Sequence, residues 1–250
     1  MLAHVFENFR ELGRRTYKLD PAYYLSSPQL SFDAALLHTE AEPELISDTA
    51  MYQMIDDGIR GGVAMISTRY ARANNPEVEG FDPTKPISWI KGLDANNLYV
   101  WSMAQPLPYS DFKWVDQAEL TKIDWLAQTD NQEIGYIAKV DLEYPAQLHD
   151  QHNDYPLAPE RIKVQEEWLS DTAVKIRAQY KIPRSDCNTK LIPNLMDKHS
   201  YVLHYRLLSF YLNHGLILKK VHAAIKFHQK TWLKPYIVLN QKSGRRRQLT

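Results

Sequence analysis

The residues best suited to chemistry lie in one short stretch, where Asp94 is followed by Ala95, Asn96 and Asn97. The apolar run at residues 87–93 predicts a β-strand, which would place Asp94 at the C-terminal end of that strand. A carboxylate in this position, followed by a tight polar turn, suits Mg²⁺, which prefers one or two carboxylates together with substrate phosphates and water. The alternative interpretation is an aspartate that only forms the turn or caps the next helix.

A second set of possible metal ligands is the pair His149 and His152, which lie three residues apart. This spacing occurs in zinc sites, but no Cys or Glu in matching helical register completes a zinc set here. One further hypothesis for the chain is nevertheless an unrelated metal-dependent hydrolase that combines this pair with Asp94.

Charge is distributed unevenly, although 30 basic and 30 acidic residues give a formal net charge of zero. Residues 201–250 contain ten of the basic residues and no Asp or Glu. An acidic body with a basic end predicts a phosphate-facing surface beside a carboxylate-bearing site. The basic residues expected to contact DNA are Lys219, Lys220, Lys226, Arg245, Arg246 and Arg247. The alternatives are a solvated strand face for the lysines and a solvated tail for the arginines.

Hydrophobic periodicity predicts the elements that must position these residues. Residues 134–142 alternate between apolar and polar side chains, which predicts a half-buried strand. The other predicted elements are helices over 1–15, 49–57, 201–213 and 232–239, and strands over 63–68 and 221–228. Together they indicate an α+β chain.

The composition is that of a globular protein in a reducing compartment. A chain of 250 residues with 44% apolar side chains is long enough to bury a core. Cys187 is the single cysteine, so no internal disulfide forms. No apolar run approaches the roughly 20 residues of a membrane helix, and the first residues lack a signal-peptide core. We therefore expect a nuclear or cytoplasmic protein with no membrane partner.

The stretch D-A-N-N-L-Y-V, from Asp94 to Val100, resembles the first palm motif of family B DNA polymerases. An Arg-Gly-Gly at residues 60–62 precedes it by about thirty residues, and Pro-Leu-Pro-Tyr at 106–109 follows it. This order is similar to that of protein-primed polymerases, above all those of Polinton/Maverick-type transposons and their viral relatives. Residues 142–162 and 201–237 also resemble that group, so the similarity covers nearly the whole chain.

The resemblance implies part of a family B palm, which is an antiparallel sheet with flanking helices. Residues 1–30 would be the C-terminal remnant of a 3′–5′ exonuclease domain with its connector, and residues 31–143 the first part of the palm. Residues 144–200 would be an insertion similar to the terminal-protein region of such enzymes. Residues 201–250 would be a basic segment of the palm next to the fingers.

The resemblance also implies roles for individual residues. Asp94 would bridge two Mg²⁺ ions, helped by the Ala95 carbonyl. The incoming dNTP would be bound by Asn96, Asn97, Leu98 and Tyr99, with Tyr99 excluding a ribose 2′-OH. The DNA strand would be contacted by Arg60, Gly61 and Gly62. The implied partners are a DNA template-primer, dNTPs and, for priming, a terminal protein.

Two features that the family needs have no match in the sequence, namely the second palm motif with its catalytic Asp and the fingers helix with its Lys. One carboxylate cannot build a two-metal site. We therefore expect a polymerase-like fragment that is catalytically incomplete. The alternative is a non-catalytic DNA-binding or interaction protein domesticated from a transposon polymerase gene.

Overall fold

A computed structural model describes residues 2–68, 70–182 and 189–247, with side chains from Ala3 to Lys242 within those ranges. The helices are α1 (Leu2–Tyr17), α2 (Ser27–Thr39), α3 (Thr49–Gly58), α4 (Leu98–Met103), α5 (Gln117–Leu120), α6 (His149–His152), α7 (Asp171–Gln179), α8 (Tyr205–Asn213) and α9 (Lys234–Arg247). The strands are β1 (Leu107–Trp114), β2 (Ile134–Glu143), β3 (Glu160–Lys163), β4 (Thr189–Ile192), β5 (Lys198–His204) and β6 (Ile217–Lys230). The expected α+β class is confirmed.

The centre of the protein is a four-stranded antiparallel sheet in the order β1-β6-β2-β5. β6 has 14 residues and pairs with both β1 and β2. The β2–β6 register runs from Ile134 opposite His228 to Glu143 opposite Ile217. The sheet therefore joins segments that lie far apart in the sequence.

One face of the sheet forms the main core. Alternate residues of β2, namely Ala138, Val140 and Leu142, are almost completely buried there together with Leu208 of α8. The opposite residues of β2, such as Lys139 and Asp141, are only partly covered. The period-two pattern in the sequence therefore identified the buried face of β2 correctly.

The other face of the sheet is covered at one end by α3. Met51 and Met54 of that helix pack on Val202 and Ile225. The N-cap of this helix is Asp48, whose side chain accepts hydrogen bonds from the backbone N–H groups of Ala50 and Met51. A capped helix with an apolar face thus covers part of the second face of the sheet, where Val202 of β5 and Ile225 of β6 lie.

A separate layer of helices consists of α1, α2, α4 and α9. Ala34 and Ala35 of α2 pack against Tyr236 and Ile237 of α9. The hydroxyl groups of Ser31 and Tyr236 are 2.9 Å apart, so they share a hydrogen bond. This layer carries α4, the helix that follows Asp94.

Two parts of the chain have almost no buried side chains. Between residues 160 and 197, no described residue is buried, although β3 and β4 pair there as a small separate sheet. This lobe is tied to the main sheet by Lys198, whose Nζ donates a 3.0 Å hydrogen bond to Glu160 Oε2. Between residues 59 and 104, Asn75 is the one buried residue among those described.

Several predicted elements are confirmed. The helices over 1–15 and 49–57 correspond to α1 and α3, and the strands over 134–142 and 221–228 to β2 and part of β6. The helix expected over 232–239 is present as α9, although it begins two residues later and is longer.

The helix predicted over 201–213 was wrong in its first four residues. Residues 201–204 belong to β5, which pairs with β2, and the helix begins at Tyr205 with His204 as its N-cap. β5 also crosses the predicted domain boundary between residues 200 and 201. The strand pairing outweighs the helical spacing of the apolar residues, because it buries Tyr201, Val202 and Leu203 in the sheet.

The strands predicted over 63–68 and 87–93 were also wrong, since the structure assigns no strand to either range. Ser88 makes only an isolated bridge with Asn74. Amide groups, not apolar packing, organise this loop: the side chain of Asn74 bonds to the backbone of Asp82, and that of Asn75 to the backbone of Ser88. A strand needs a neighbour and a buried face, and residues 87–93 are exposed throughout.

No helix among the described residues is long and apolar enough to cross a membrane.

The sheet makes a direct prediction for Gly135→Ala. A Cβ atom at this position of β2 would lie 2.7 Å from Cζ of Phe227, a buried ring on β6 that has little room to move. We expect a loss of about 1–3 kcal/mol in the free energy of unfolding, measured by urea denaturation. Gly92→Ala is the matched control, because its Cβ would meet nothing within 4 Å. Equal stability of the two variants would contradict the packing described for β2 and β6.

Candidate functional site

Asp94 lies in an exposed segment without regular secondary structure, not at the end of a strand. Ala95 and Asn96 are also exposed, and Asn96 and Asn97 form the turn that leads into α4. The position expected for Asp94 at a strand end was therefore wrong, because residues 87–93 form no strand. What remains of the predicted geometry is an accessible carboxylate one tight turn before a helix.

Asn97 starts α4 in a specific way. Its backbone is left-handed, with φ 55° and ψ 56°, and its side chain accepts a hydrogen bond from the Val100 N–H. Asn tolerates this conformation better than most residues, which accounts for its place at the turn. Leu98 and Tyr99 follow as the first helical residues, and Tyr99 is 84% exposed. The predicted dNTP-binding residues Asn96, Asn97, Leu98 and Tyr99 thus share one open surface.

The short helix α4 is fixed from its inner side. Val100 and Ala104 pack into the cluster formed by α2 and α9, while Leu98 and Trp101 stay mostly exposed. Because Val100 and Ala104 are four residues apart, they lie on one face and leave the other face free. The helix therefore presents Tyr99 and Trp101 to solvent from a supported position.

Arg60 is engaged within the protein. Its guanidinium lies 3.9 Å from the ring centroid of Tyr201 and donates a 2.6 Å hydrogen bond to the Val202 carbonyl. It also donates to the Gly58 carbonyl at 3.1 Å. Arg60 thus links the end of α3 to β5, which gives it a structural role beside the predicted contact with DNA.

Gly61 and Gly62 have no steric reason within the protein to be glycine. Added Cβ atoms would meet nothing within 4 Å, and neither residue has a positive φ. Both are exposed. The pair therefore leaves an open stretch of backbone that a ligand could approach closely.

The predicted DNA-contacting lysines lie on β6, and two of them are paired with carboxylates. Lys219 Nζ is 2.8 Å from Glu143 Oε2, and Lys226 Nζ is 2.6 Å from Glu119 Oε2. These carboxylates raise the pKa of both lysines. Lys220 is exposed, next to Lys219. The three arginines at 245–247 are in the last turn of α9, and their side chains lie outside the described atoms.

The histidine pair has neighbours other than a metal. His152 is buried, and its Nδ1 is 2.8 Å from the Tyr144 hydroxyl. His149 packs edge-on against the ring of the same tyrosine. In the described part of the chain, no three His, Cys, Asp or Glu side chains gather closely enough to hold a metal ion.

The same finding bears on magnesium. Asp94 and Ala95 offer one carboxylate and one carbonyl, and the described residues do not complete a site around them. These two residues would supply part of the ligand set of a two-ion centre.

The structure adds a cavity that the sequence did not reveal, between the free side of α4 and α8. Its volume is about 640 Å³, which is in the range of small-molecule sites. The lining residues are Trp101, Ser102, Gln105, Pro106, Leu107, Pro108, Asp130, His204, Arg206, Leu207, Ser209, Phe210 and Asn213. These residues come from segments about a hundred positions apart, so no local pattern could have indicated the cavity.

His204 lines this cavity and caps α8. Its Nδ1 accepts a hydrogen bond from the Arg206 N–H, and its ring lies 4.5 Å from that of Tyr205. Burial, together with the positive charge of Arg206, lowers the pKa of His204 to about 4. The imidazole is therefore neutral at pH 7, and Nδ1 is free to accept.

No protein-family model matches the chain, and no curated protein or solved structure matches it significantly.

His204 makes the stability depend on pH. Since its pKa is lowered from an ordinary 6.5 to about 4, the unfolded state takes up the proton first as the pH falls. The stability from neutral His204 is complete above about pH 6.5 and is lost between pH 6.5 and pH 4, by about 3 kcal/mol. Denaturant unfolding at several pH values measures this loss.

The control variant is His204→Asn, which keeps an acceptor at the helix N-cap but does not titrate. The chain has nine histidines, so the measured quantity is the difference in pH dependence between parent and variant. Identical curves would show that His204 does not contribute.

Proposed function

We propose that this chain is part of a family B DNA polymerase of the protein-primed kind, and that its ancestral function is template-directed dNTP addition in the replication of a mobile element or virus. The observation that carries the proposal is the surface formed by Asp94, the Asn96–Asn97 turn and the start of α4. It has an exposed carboxylate, a tight turn and an exposed Tyr99 in the same order as the motif. The antiparallel sheet with flanking helices is compatible with part of a palm.

In this proposal each residue of the surface has a separate task. Asp94 provides one carboxylate for Mg²⁺, which would neutralise phosphate charge when bound. The N–H groups of residues 96–98 face the triphosphate. Tyr99, which is the most exposed aromatic of the helix, stacks under the sugar and selects dNTP over rNTP.

The second candidate function is non-catalytic DNA binding or protein interaction. The observation that favours it is the charge distribution, since ten basic and no acidic residues occupy positions 201–250. Such a protein would bind DNA through phosphates and would not need Asp94. The two functions are therefore separated by what Asp94 does.

The first test uses Asp94→Ala with a primed template. If the proposal is right, the next complementary dNTP and Mg²⁺ tighten the complex of the parent chain with primer-template. Asp94 is the carboxylate at this surface. In the variant, the gain in primer-template affinity on adding dNTP and Mg²⁺ should therefore be smaller by about 10-fold or more, measured by fluorescence anisotropy. The chain alone is not expected to extend the primer.

Asp150→Ala, which removes an exposed carboxylate on α6, is the matched control and should behave like the parent. If the dNTP has no effect on any of the three proteins, the non-catalytic function is favoured. Extension by the parent, lost in Asp94→Ala, would show that a second carboxylate completes the site.

The second test concerns the basic end. The affinity for duplex DNA falls as the salt concentration rises. If Arg245, Arg246 and Arg247 contact phosphates, replacing all three by Ala should make the slope of log affinity against log salt concentration less steep by about 2–3. Lys219→Ala should have a smaller effect, because Lys219 is already paired with Glu143. An unchanged slope in the triple variant would identify the arginines as a solvated tail.

A further inference from the structure

We propose that the cavity between α4 and α8 binds an unpaired base of a single-stranded nucleic acid by stacking. The inference rests on the proposed function in one respect, namely that the chain binds nucleic acid. It assigns a site to residues that neither the motif nor the charge pattern includes, chiefly Trp101 and Phe210.

The aromatic walls of the cavity are held in place before any ligand binds. Phe210 packs against the rings of His214, at 4.1 Å between centroids, and Tyr211, at 6.0 Å, yet it stays 46% exposed. Trp101 is 62% exposed on a helix that is fixed from its inner side by Val100. Large aromatic surfaces that remain exposed on a supported framework are the usual platforms for base stacking.

The polar groups of the lining suit the edge of a base. Gln105 and Asn213 contribute amides, which carry both donors and acceptors, and Ser102 and Ser209 contribute hydroxyls. A base combines a flat apolar face with a polar edge, which matches this composition. An aliphatic peptide would use the apolar walls but not the amides.

Charge near the cavity is balanced. Arg206 donates hydrogen bonds to the Asp130 carbonyl and to the Tyr205 hydroxyl, and it lies 3.6 Å from the Asp130 carboxylate. The cavity therefore offers little net attraction for phosphate. Affinity gained there should come from stacking and depend only weakly on salt.

A second cavity extends the site to the exposed glycines. It has a volume of about 350 Å³, is lined by Gly61, Gly62 and Tyr155, and shares Leu207 and Phe210 with the first. The two cavities thus meet at the exposed side of α8. A strand that crosses this helix would place bases in both and run its backbone past glycines that carry no obstructing Cβ.

The test compares two strands of equal length, one with all its bases and one with abasic residues at the central positions. For the intact strand, Trp101→Ala and Phe210→Ala should each weaken binding by about 5- to 100-fold, and Trp101→Phe should restore most of the affinity. For the abasic strand, the same substitutions should have little effect, because the stacking partner is missing. Anisotropy of a fluorescein-labelled strand measures both.

Trp168→Ala is the matched control, because Trp168 is 49% exposed but does not line the cavity. Unfolding curves of each variant establish that the fold is intact. The inference is wrong if Trp101→Ala binds the intact strand like the parent, if Trp168→Ala loses as much, or if the loss persists on the abasic strand. It is also wrong if an apolar peptide binds this cavity and the base-containing strand does not displace it.

The experiment distinguishes this inference from the proposed function. If the parent binds single strands and the cavity variants bind equally well, only the stacking site fails. If the parent binds no nucleic acid at all, the proposed function fails with it. Asp150→Ala should bind the single strand like the parent, because Asp150 lines neither cavity and has no part in the proposed dNTP surface.

Discussion

The long antiparallel pairing between β2 and β6 is the interaction on which the rest of the structure depends. It brings residues 134–143 against 217–230 and creates a surface whose central residues, among them Val140 and Ala224, are completely buried. Removing this apolar surface from water is the main source of stability, at about 25 cal/mol per Å². α8 packs on one face and α3 on the other, so both helices depend on the same pair of strands. The cavity beside α8 is therefore lined in part by a helix that packs on this pair of strands.

The sequence correctly predicted the elements in which the pattern of apolar side chains matches the pattern of burial. β2 alternates in its side chains and is half-buried, and α1 and α3 have helical spacing with clear ends. It failed where tertiary contacts decided between two local preferences. Residues 201–204 have apolar spacing compatible with a helix, but pairing with β2 makes them a strand. Residues 87–93 have strand-forming side chains but only one isolated bridge, at Ser88, so they form no strand and stay exposed.

The candidate site divides in the same way. The Asp94 motif and the start of α4 are contiguous in sequence, so a local pattern could identify them and the turn at Asn97. The cavity between α4 and α8 could not be predicted, because it depends on the distance between two helices that meet only in the folded chain. The engagement of Arg60 with Tyr201 was hidden for the same reason, since 141 positions separate the two residues. A contiguous motif could therefore be recognised in this sequence, while contacts between residues far apart in the sequence could not be predicted.

The scarcity of buried residues between 160 and 197 has a consequence for the way this protein opens. Amide hydrogens of the β3–β4 sheet are protected only by their own few hydrogen bonds, because no described side chain there is buried. Their exchange with solvent deuterium requires only local opening of the lobe, whereas exchange at β2 and β6 requires the whole sheet to come apart. Lys198 connects the lobe to the sheet, because its Nζ donates a hydrogen bond to Glu160 on the lobe and its backbone belongs to β5. We therefore expect one slowly exchanging unit around the sheet and a lobe that opens at a lower free-energy cost.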